Sequence, residues 1–574
     1  MSVKAKPTGR VLKAIRHGGR VVDSDAHAEE LARTQESITT AEQAVGEAHL
    51  DDAETTPFGY LFEALAAEES AHLPATDPAA VVAALKALGG AMVEDPPHAA
   101  EPMQSASNST IPPIYTYWGQ FIDHDLTANT DRDSAISDVT RPDLAPLDPA
   151  FVVEQLRNLR RPALDLDSLY GDGPALDDGP ATAAAGFYDG IKFKVGTAAA
   201  VSNDPARPIR GSRIPPDDDL QRDLPRIDRK AQIGDGRNDE NLIIAQLHTA
   251  FLRFHNAVVD WVREHEPQCS GDAAVFARAQ QLVRWHYQWL VVHDYLKTVT
   301  LPGVADDVLL GGNRLYDPGD EAPFMPLEFS VAAYRFGHSM VRDVYDYNRN
   351  FGRPGRGLPS ASFFLLFLFT GNGTPAFGGD TDVLPFNWII EWDRMIDKGA
   401  TFPDRFARRI DTRLAPTLRD LSNDGNDPAL PPPIRQILKR LATRNLLRGY
   451  LLAIPTGQAV ATAVGATVLD EDDLQRDNNP VLNDALSDGG FLERTPLWYY
   501  VLKEAEVQAN GTSLGEVGSR IVCETIIGQI RHDPYSFLHG HGNGGWTPAD
   551  GATFDDGELI TTIGDMLRFA GVLV

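Results

Sequence analysis

Apolar side chains recur every three or four positions along several long stretches of the chain, a spacing that predicts amphipathic helices. In residues 240–262, Ile244, Leu247, Phe251, Phe254, Val258 and Trp261 fall on one stripe. Residues 274–296, 328–345, 433–452, 496–507 and 518–530 show the same period and predict further helices. The segments between them, notably 203–239 and 310–326, are rich in Pro, Gly and Asp and read as long loops. Strand patterns are few and short. The pattern therefore predicts a mainly α fold, with one large helical domain over residues 106–574, long loops and few short strands. Residues 1–105 are polar and rich in Ala, Asp and Glu. They read as an N-terminal extension, partly wrapped on the main body or disordered, with one helix at 77–94. No internal repeat is visible.

Composition narrows the function more than the fold. With 81 acidic against 52 basic residues the formal charge is -29, which argues against nucleic acid and against an anionic membrane surface as partners. The apolar run at 362–371 is too short to span a bilayer. No apolar core follows the basic residues near the N-terminus, so no Sec leader is expected. The reading is a cytoplasmic protein, or one secreted by a route without such a leader. Cys269 and Cys523 allow one disulfide but no framework, and each reads as a small buried apolar residue.

Five segments carry candidate chemistry. In residues 115–127, Gln120 and His124 lie four apart on a helix and so are expected to face one spot. An imidazole there can take a proton from hydrogen peroxide and return it to the leaving oxygen, while the amide holds water or peroxide in place. Asp125, on another side of that helix, can ligate a hard cation. In residues 233–242, Arg237 can set a fixed positive charge beside a breaking O–O bond, with Glu240 one turn later. The plainer reading of that segment is a helix start capped by Asn238 or Asp239. In residues 332–341, His338 sits on an apolar helix. Gly337 before it lets a flat macrocycle approach the backbone, and Arg335, one turn earlier, can pair with a haem propionate. In residues 444–449, Asn445 can accept a hydrogen bond from an iron-bound imidazole, and Arg448 is a second propionate candidate. In residues 163–173, Asp165 and Asp167 form an oxygen-rich turn of the kind calcium takes. Taken singly, each segment also has a plain structural reading, the lone histidines most of all.

Together the five segments resemble the animal haem peroxidases of the peroxidase–cyclooxygenase superfamily. WGQFIDHDL, GDGRNDE, YRFGH, RNLLRG and DLDSLYG occur in that family's order and at roughly its spacings, and the likeness covers about residues 105–570. It is similar to bacterial-type members and to the catalytic domains of peroxinectin and myeloperoxidase. The resemblance implies an enzyme that uses hydrogen peroxide, through a ferryl intermediate, to oxidise halides, thiocyanate or phenolic donors. It implies haem b and Ca2+ as cofactors. Residue by residue, it implies His124 as the distal base, with Gln120 and Arg237 beside it. It implies His338 as the haem iron ligand, with Asn445 as its hydrogen-bond partner and Arg335 and Arg448 as haem contacts. Asp123 and Glu240 match carboxylates that can form ester bonds to the haem, and Asp125, Asp165 and Asp167 match calcium ligands.

Three departures refine this. Asn241 stands where myeloperoxidase has a Met that forms a third haem link, so that link is not implied and efficient chloride oxidation is disfavoured. Arg161 stands where mammalian members have a calcium-binding Thr, and RGYLLAIPTG replaces the family's frequent RGRDHGLPG. Fatty-acid dioxygenases and cyclooxygenases of the superfamily are the alternative; they need a radical-forming Tyr one turn before the iron ligand. Here the residue three before His338 is Arg335, and Tyr334, four before, is expected to point elsewhere, which favours peroxidase over oxygenase. An adhesion or matrix protein that keeps the fold without catalysis is disfavoured by the intact set of His124, Arg237 and Gln120. His248, His255, His286 and His293 read as core or surface residues, and HGHGNGG (539–545) as a flexible turn rather than a metal site.

Overall fold

The computed structural model describes residues 55–573, apart from 95–107, 132–138, 141–143, 177–181, 183, 200–218, 320, 352–360, 368, 371–382, 397–404, 422–430, 477–478 and 541–544. Helix dominates. α1 (Pro78–Ala91) starts on Asp77, whose carboxylate accepts from the Ala80 N–H, with Pro78 in the first turn. α2 (Ile114–Leu126) follows Pro112 and Pro113 and is buried on nearly every side, as a helix threading a core must be. α3 (Leu242–His265) is capped by Asn241, whose Oδ1 accepts from the N–H groups of Ile243 and Ile244. Asn238 and Asp239, the expected caps, lie instead in the 3-10 turn Gly236–Asp239 just ahead. α4 (Asp272–Leu290) runs into a π turn, Val291–Tyr295.

Two stretches expected as single helices are broken. Residues 433–452 divide at Arg440 (φ -96, ψ 93) into Pro432–Lys439 and α5 (Leu441–Leu451). Residues 328–345 divide into a π turn, Glu328–Ala332, a 3-10 turn, Ala333–His338, and a strand, Val344–Tyr345. The buried Glu328 carboxylate accepts from the Leu61 and Phe62 N–H groups at 2.8 and 3.2 Å, which ties the start of this irregular segment to the chain's N-terminal part. α6 (Leu497–Ala509) and α7 (Glu516–His532) follow, and α6 packs behind the Ala333–His338 turn.

One small sheet contains β1 (Thr56–Gly59), β2 (Asn129–Asp131), β3 (Leu156–Asn158) and β4 (Met325–Pro326), in the order β2-β3-β1-β4. β1 is antiparallel to β3 and parallel to β4, with Phe58 opposite Met325. The extension residues 55–94 are thus part of the body: β1 is an inner strand and α1 packs on α5. A Cβ on Gly89 of α1 would lie 2.8 Å from the Thr443 backbone, so glycine permits that close approach. In the core, Phe121 of α2 stacks on Phe251 of α3 at 4.5 Å and 6°, a contact that contributes about 0.5–1.5 kcal/mol beyond its burial. Cys523 is buried, Cys269 is partly exposed, and both are free thiols. Among the described residues no helix is long and apolar enough to cross a membrane.

His286 of α4 gives a stability test. Its ring is edge-on to Trp546 (4.7 Å) and Phe254 (5.9 Å), and among the described residues neither nitrogen has a hydrogen-bond partner. Burial pushes it down to about 3. The unfolded chain takes up this proton below about pH 6.5, whereas the folded chain takes it up only near 3, so the stability it contributes is lost as pH falls through that window. His286→Leu is therefore expected to gain about 2 kcal/mol on the parent between pH 7.5 and pH 5, read by urea unfolding at both. An offset from the parent that stays the same at the two pH values would show that this histidine is not buried neutral.

Candidate active site

Between α2 and the Ala333–His338 turn lies a cavity of about 920 Å³, mouth included. Gln120 and Asp123 of α2 line it together with Glu240 and Asn241, and Arg335, Gly337 and His338 line it from the Ala333–His338 turn. Phe363, Phe367 and Leu441 add apolar wall. A Cβ built on Gly337 would meet no atom within 4 Å, so open space reaches the backbone beside His338. A flat macrocycle fits the combination of apolar walls, a bare glycine backbone and one imidazole.

His124 is fully buried behind the α2 wall and does not line the cavity. Gln120 does, so the two do not converge on one spot as their spacing suggested. Neighbours explain it. Gln120 Nε2 donates to Glu240 Oε2 at 3.0 Å, and its Oε1 accepts from Asn241 Nδ2 at 3.2 Å. His124 instead turns Nδ1 to Asn238 Oδ1, at 2.8 Å. Burial pushes His124 down to about 4, and the Arg237 cation pushes the same way, so the ring is neutral at neutral pH. Arg237 closes the C-terminal end of α2, where cations are favoured: Nη2 donates to the His124 carbonyl at 2.8 Å and Nη1 to that of Thr127 at 2.7 Å. Its Nε and Nη2 also bond Asp235. Burial alone would raise the Asp235 carboxyl, but Arg237 and Arg160 hold it well below the usual carboxylate range. The Arg237 charge therefore stands beside His124, with these donors turned to Asp235 and to helix carbonyls.

On the turn side, burial together with Arg335 and Arg444 pushes His338 down to about 3. Its Nδ1 lies 2.9 Å from Asn445 Nδ2 on α5. The amide nitrogen faces the ring, so Asn445 donates here rather than accepts; a half-turn of the amide exchanges the roles without changing its shape. Trp498 of α6 lies edge-on to His338, at 6.5 Å and 75°, and its Nε1 donates to the Arg335 carbonyl at 3.1 Å. Arg335 Nε donates to the Ser330 carbonyl at 2.8 Å. Arg448 is buried on α5 and does not line the cavity. Tyr334, expected to point elsewhere, does line it, stacked on Phe329 at 4.4 Å. The segment is a tight 3-10 turn here, so the angles assumed for an α-helix do not apply.

Three carboxylates gather next to the His124 layer. Asp125 accepts from Ser168 Oγ at 2.8 Å and from the Leu166 N–H at 3.1 Å. Asp165 pairs with Arg161 at 3.0 Å and Asp167 with Arg160 at 3.1 Å. Burial raises the Asp125 carboxyl above the usual carboxylate range, and the Asp165 charge adds to it. Burial also raises the Asp167 carboxyl, against the pull of Arg160. Leu164 and Leu166 both have left-handed backbones (φ 50 and 58), a strained state for leucine that the surrounding contacts must hold. Among the described residues no group of three or more His, Cys, Asp or Glu is arranged to hold a metal ion, and arginines pair with two of these carboxylates. Arg160 also bonds Asp235 at 2.6 Å, so an ionic chain runs from this loop to Arg237.

Sequence reasoning gave Asn238 only a capping role and did not single out Asp235 or Arg160. Asp235 had a local signal, a carboxylate two residues before Arg237 in a Gly-rich turn. Asn238 had none, since its partner is 114 residues away. His248, His255 and His286 are buried core residues and His293 is half-buried. Residues 541–544 of HGHGNGG lie outside the described residues.

The chain is mainly helical, with His338 lining the cavity and His124 buried in the helix that forms part of its wall. Residues 199–364, which hold Arg237, Glu240, Arg335 and His338, match the family model for animal haem peroxidase. The chain is similar to peroxidase mlt-7 of Caenorhabditis elegans, with 25% identity over 284 residues, 46% of this chain and 37% of the relative. It is also similar to human thyroid peroxidase, with 30% identity over 145 residues, 24% of this chain and 15% of the relative. The match thus spans well under half of those relatives' own length. Peroxidase A from Dictyostelium discoideum shares the fold, with a TM-score of 0.54 and 17% identity over 91% of this chain and 94% of that one.

Proposed function

We propose that the protein is a haem peroxidase that reduces hydrogen peroxide and oxidises halides, thiocyanate or phenolic donors. One observation carries the reading: His338 lines a cavity open to the Gly337 backbone, and the neutral His124 is buried in the helix that forms part of its wall. When bound, haem supplies the iron that reduces peroxide and passes the oxidising power to a donor. His338 would hold that iron, with Trp498 backing its ring and Asn445, its amide turned so that the oxygen accepts from Nδ1, fixing its tautomer. Arg335, which lines the cavity, would take a propionate, whereas Arg448, the other candidate, does not line it. His124 takes the first proton of peroxide and returns it to the leaving oxygen, Gln120 positions the small molecule, and Arg237 holds positive charge alongside. Asp123 and Glu240 line the cavity and are the candidates for ester links to haem. Calcium at Asp125, Asp165 and Asp167 belongs to the proposal too; it would displace Arg161 from Asp165.

The test is stopped-flow spectroscopy of haem-loaded protein with peroxide, then with bromide, iodide, thiocyanate and phenols. Rapid spectral conversion by peroxide, reversed by at least one donor class, is expected. A chain that takes up no haem, or haem inert to peroxide, would overturn the reading. Haem that resists acid extraction supports the ester links, and extractable haem removes them. Tyr334 in the cavity wall favours one second reading, fatty-acid oxygenation through a tyrosyl radical. Oxygenated linoleate formed from dioxygen without added peroxide would select it.

A further inference from the structure

We propose that Asn238 is a positioning residue that holds His124 in the tautomer with its proton on Nδ1, and that His248 in turn holds the Asn238 amide. This rests on the reading of His124 as the base toward peroxide. An imidazole can serve as that base only through a nitrogen bearing a lone pair, and a neutral ring has one such nitrogen. Asn238 Oδ1 can only accept, so the 2.8 Å contact to His124 Nδ1 requires the proton there and leaves the lone pair on Nε2. A carboxamide can rotate by a half-turn and offer its N–H instead, which would reverse the tautomer. His248 opposes that rotation when its own proton is on Nε2: its Nδ1 then accepts from Asn238 Nδ2 at 3.0 Å and has no N–H to offer a turned amide.

All three side chains are fully buried, so water does not compete for these bonds. The backbone holds the amide from the other side. Asn238 sits in the 3-10 turn Gly236–Asp239, and its N–H donates to the Asp235 carbonyl at 3.0 Å. His248 is fixed on α3 with its ring edge-on to Phe121 of α2, at 6.0 Å and 61°. The arrangement thus joins α2, the turn and α3 through one amide, and sets the direction in which His124 presents its lone pair.

The test uses haem-loaded protein with two readouts. The first is 15N-histidine NMR of the diamagnetic, carbon monoxide-bound ferrous form, which reports the tautomer of His124 directly. The parent is expected to show Nδ1–H, and Asn238→Leu a loss of that preference. The second is the bimolecular rate with peroxide, expected to fall about 10–100-fold in Asn238→Leu. Asn238→Asp, which keeps an acceptor toward His124, should stay close to the parent rate, and His248→Phe, which frees the amide, should fall between. Rescue by Asp separates positioning from packing, and the Phe variant stands in should Leu fail to fold. Nε2–H on His124 in the parent, or a parental peroxide rate in Asn238→Leu, would overturn the proposal. A parent inert to peroxide would remove the peroxidase reading, while NMR would still decide the tautomer.

Discussion

Replacing His124 by Ala is expected to slow the bimolecular reaction with hydrogen peroxide by about 10²–10⁴-fold, the range for loss of a general acid–base, with haem still bound. Peroxide meets the protein as a neutral molecule, and its first proton must go to a nearby base. Of the groups on the α2 side, His124 is suited to this: burial holds it neutral, with its pKa down at about 4. Gln120 is an amide, and Arg237 has donors but no acceptor. The truncation is also well isolated. Arg237 bonds the His124 carbonyl rather than its ring, so the clamp on Asp235 and on the end of α2 survives in the variant. The local cost is the Asn238 Oδ1 left without its donor, about 1–3 kcal/mol. A normal haem spectrum together with slow peroxide conversion would separate this loss from misfolding. A variant that reacts at the parental rate would remove His124 from the reaction and point to Asp123 or Glu240, the carboxylates that line the cavity.

What could be read from sequence, and what could not, follows the range of the interactions. The stripe through Ile244, Phe251 and Val258 is a local pattern, and α3 forms where it predicts, starting two residues later because Asn241 takes the cap. The stretch from Glu328 to Tyr345 has the same apolar period, yet it folds as π turn, 3-10 turn and strand. The contacts that accompany this departure come from far away: Glu328 holds residues 61 and 62, and Trp498 holds the Arg335 carbonyl. Tertiary hydrogen bonds of this kind override propensity and leave no mark in a local window. The change matters at the site, because it brings Tyr334 into the cavity wall next to Arg335. The extension is a second case. Residues 77–94 read as a helix, but nothing local said that Gly89 would press against Thr443 on the helix that carries Asn445. Residue types, in short, made His124, His338 and Arg237 candidates, while their orientation depends on partners such as Asn238, Asp235 and Trp498 that only the fold assembles.

His338→Gly is expected to abolish normal haem ligation, with a shifted and weakened Soret band, and exogenous imidazole should restore the band. Loss of a mere supporting partner weakens metal binding about 10–100-fold, so removal of the ligand itself should cost at least that. Spectroscopy is the right readout, because ester links through Asp123 and Glu240 would retain haem that the iron ligand no longer holds. The geometry makes imidazole rescue reasonable. Gly337 already leaves open space beside the backbone, and Asn445 and Trp498 stay in place to orient a free ring. Asn445 also makes the rescue specific: an amide beside Nδ1 selects a ligand with a second ring nitrogen, so imidazole should restore the band better than pyridine, which has only one. Equal rescue by pyridine would remove Asn445 from the ligation. An unchanged Soret band in the variant would remove His338 itself, and with it the assignment of this wall as the iron-binding side.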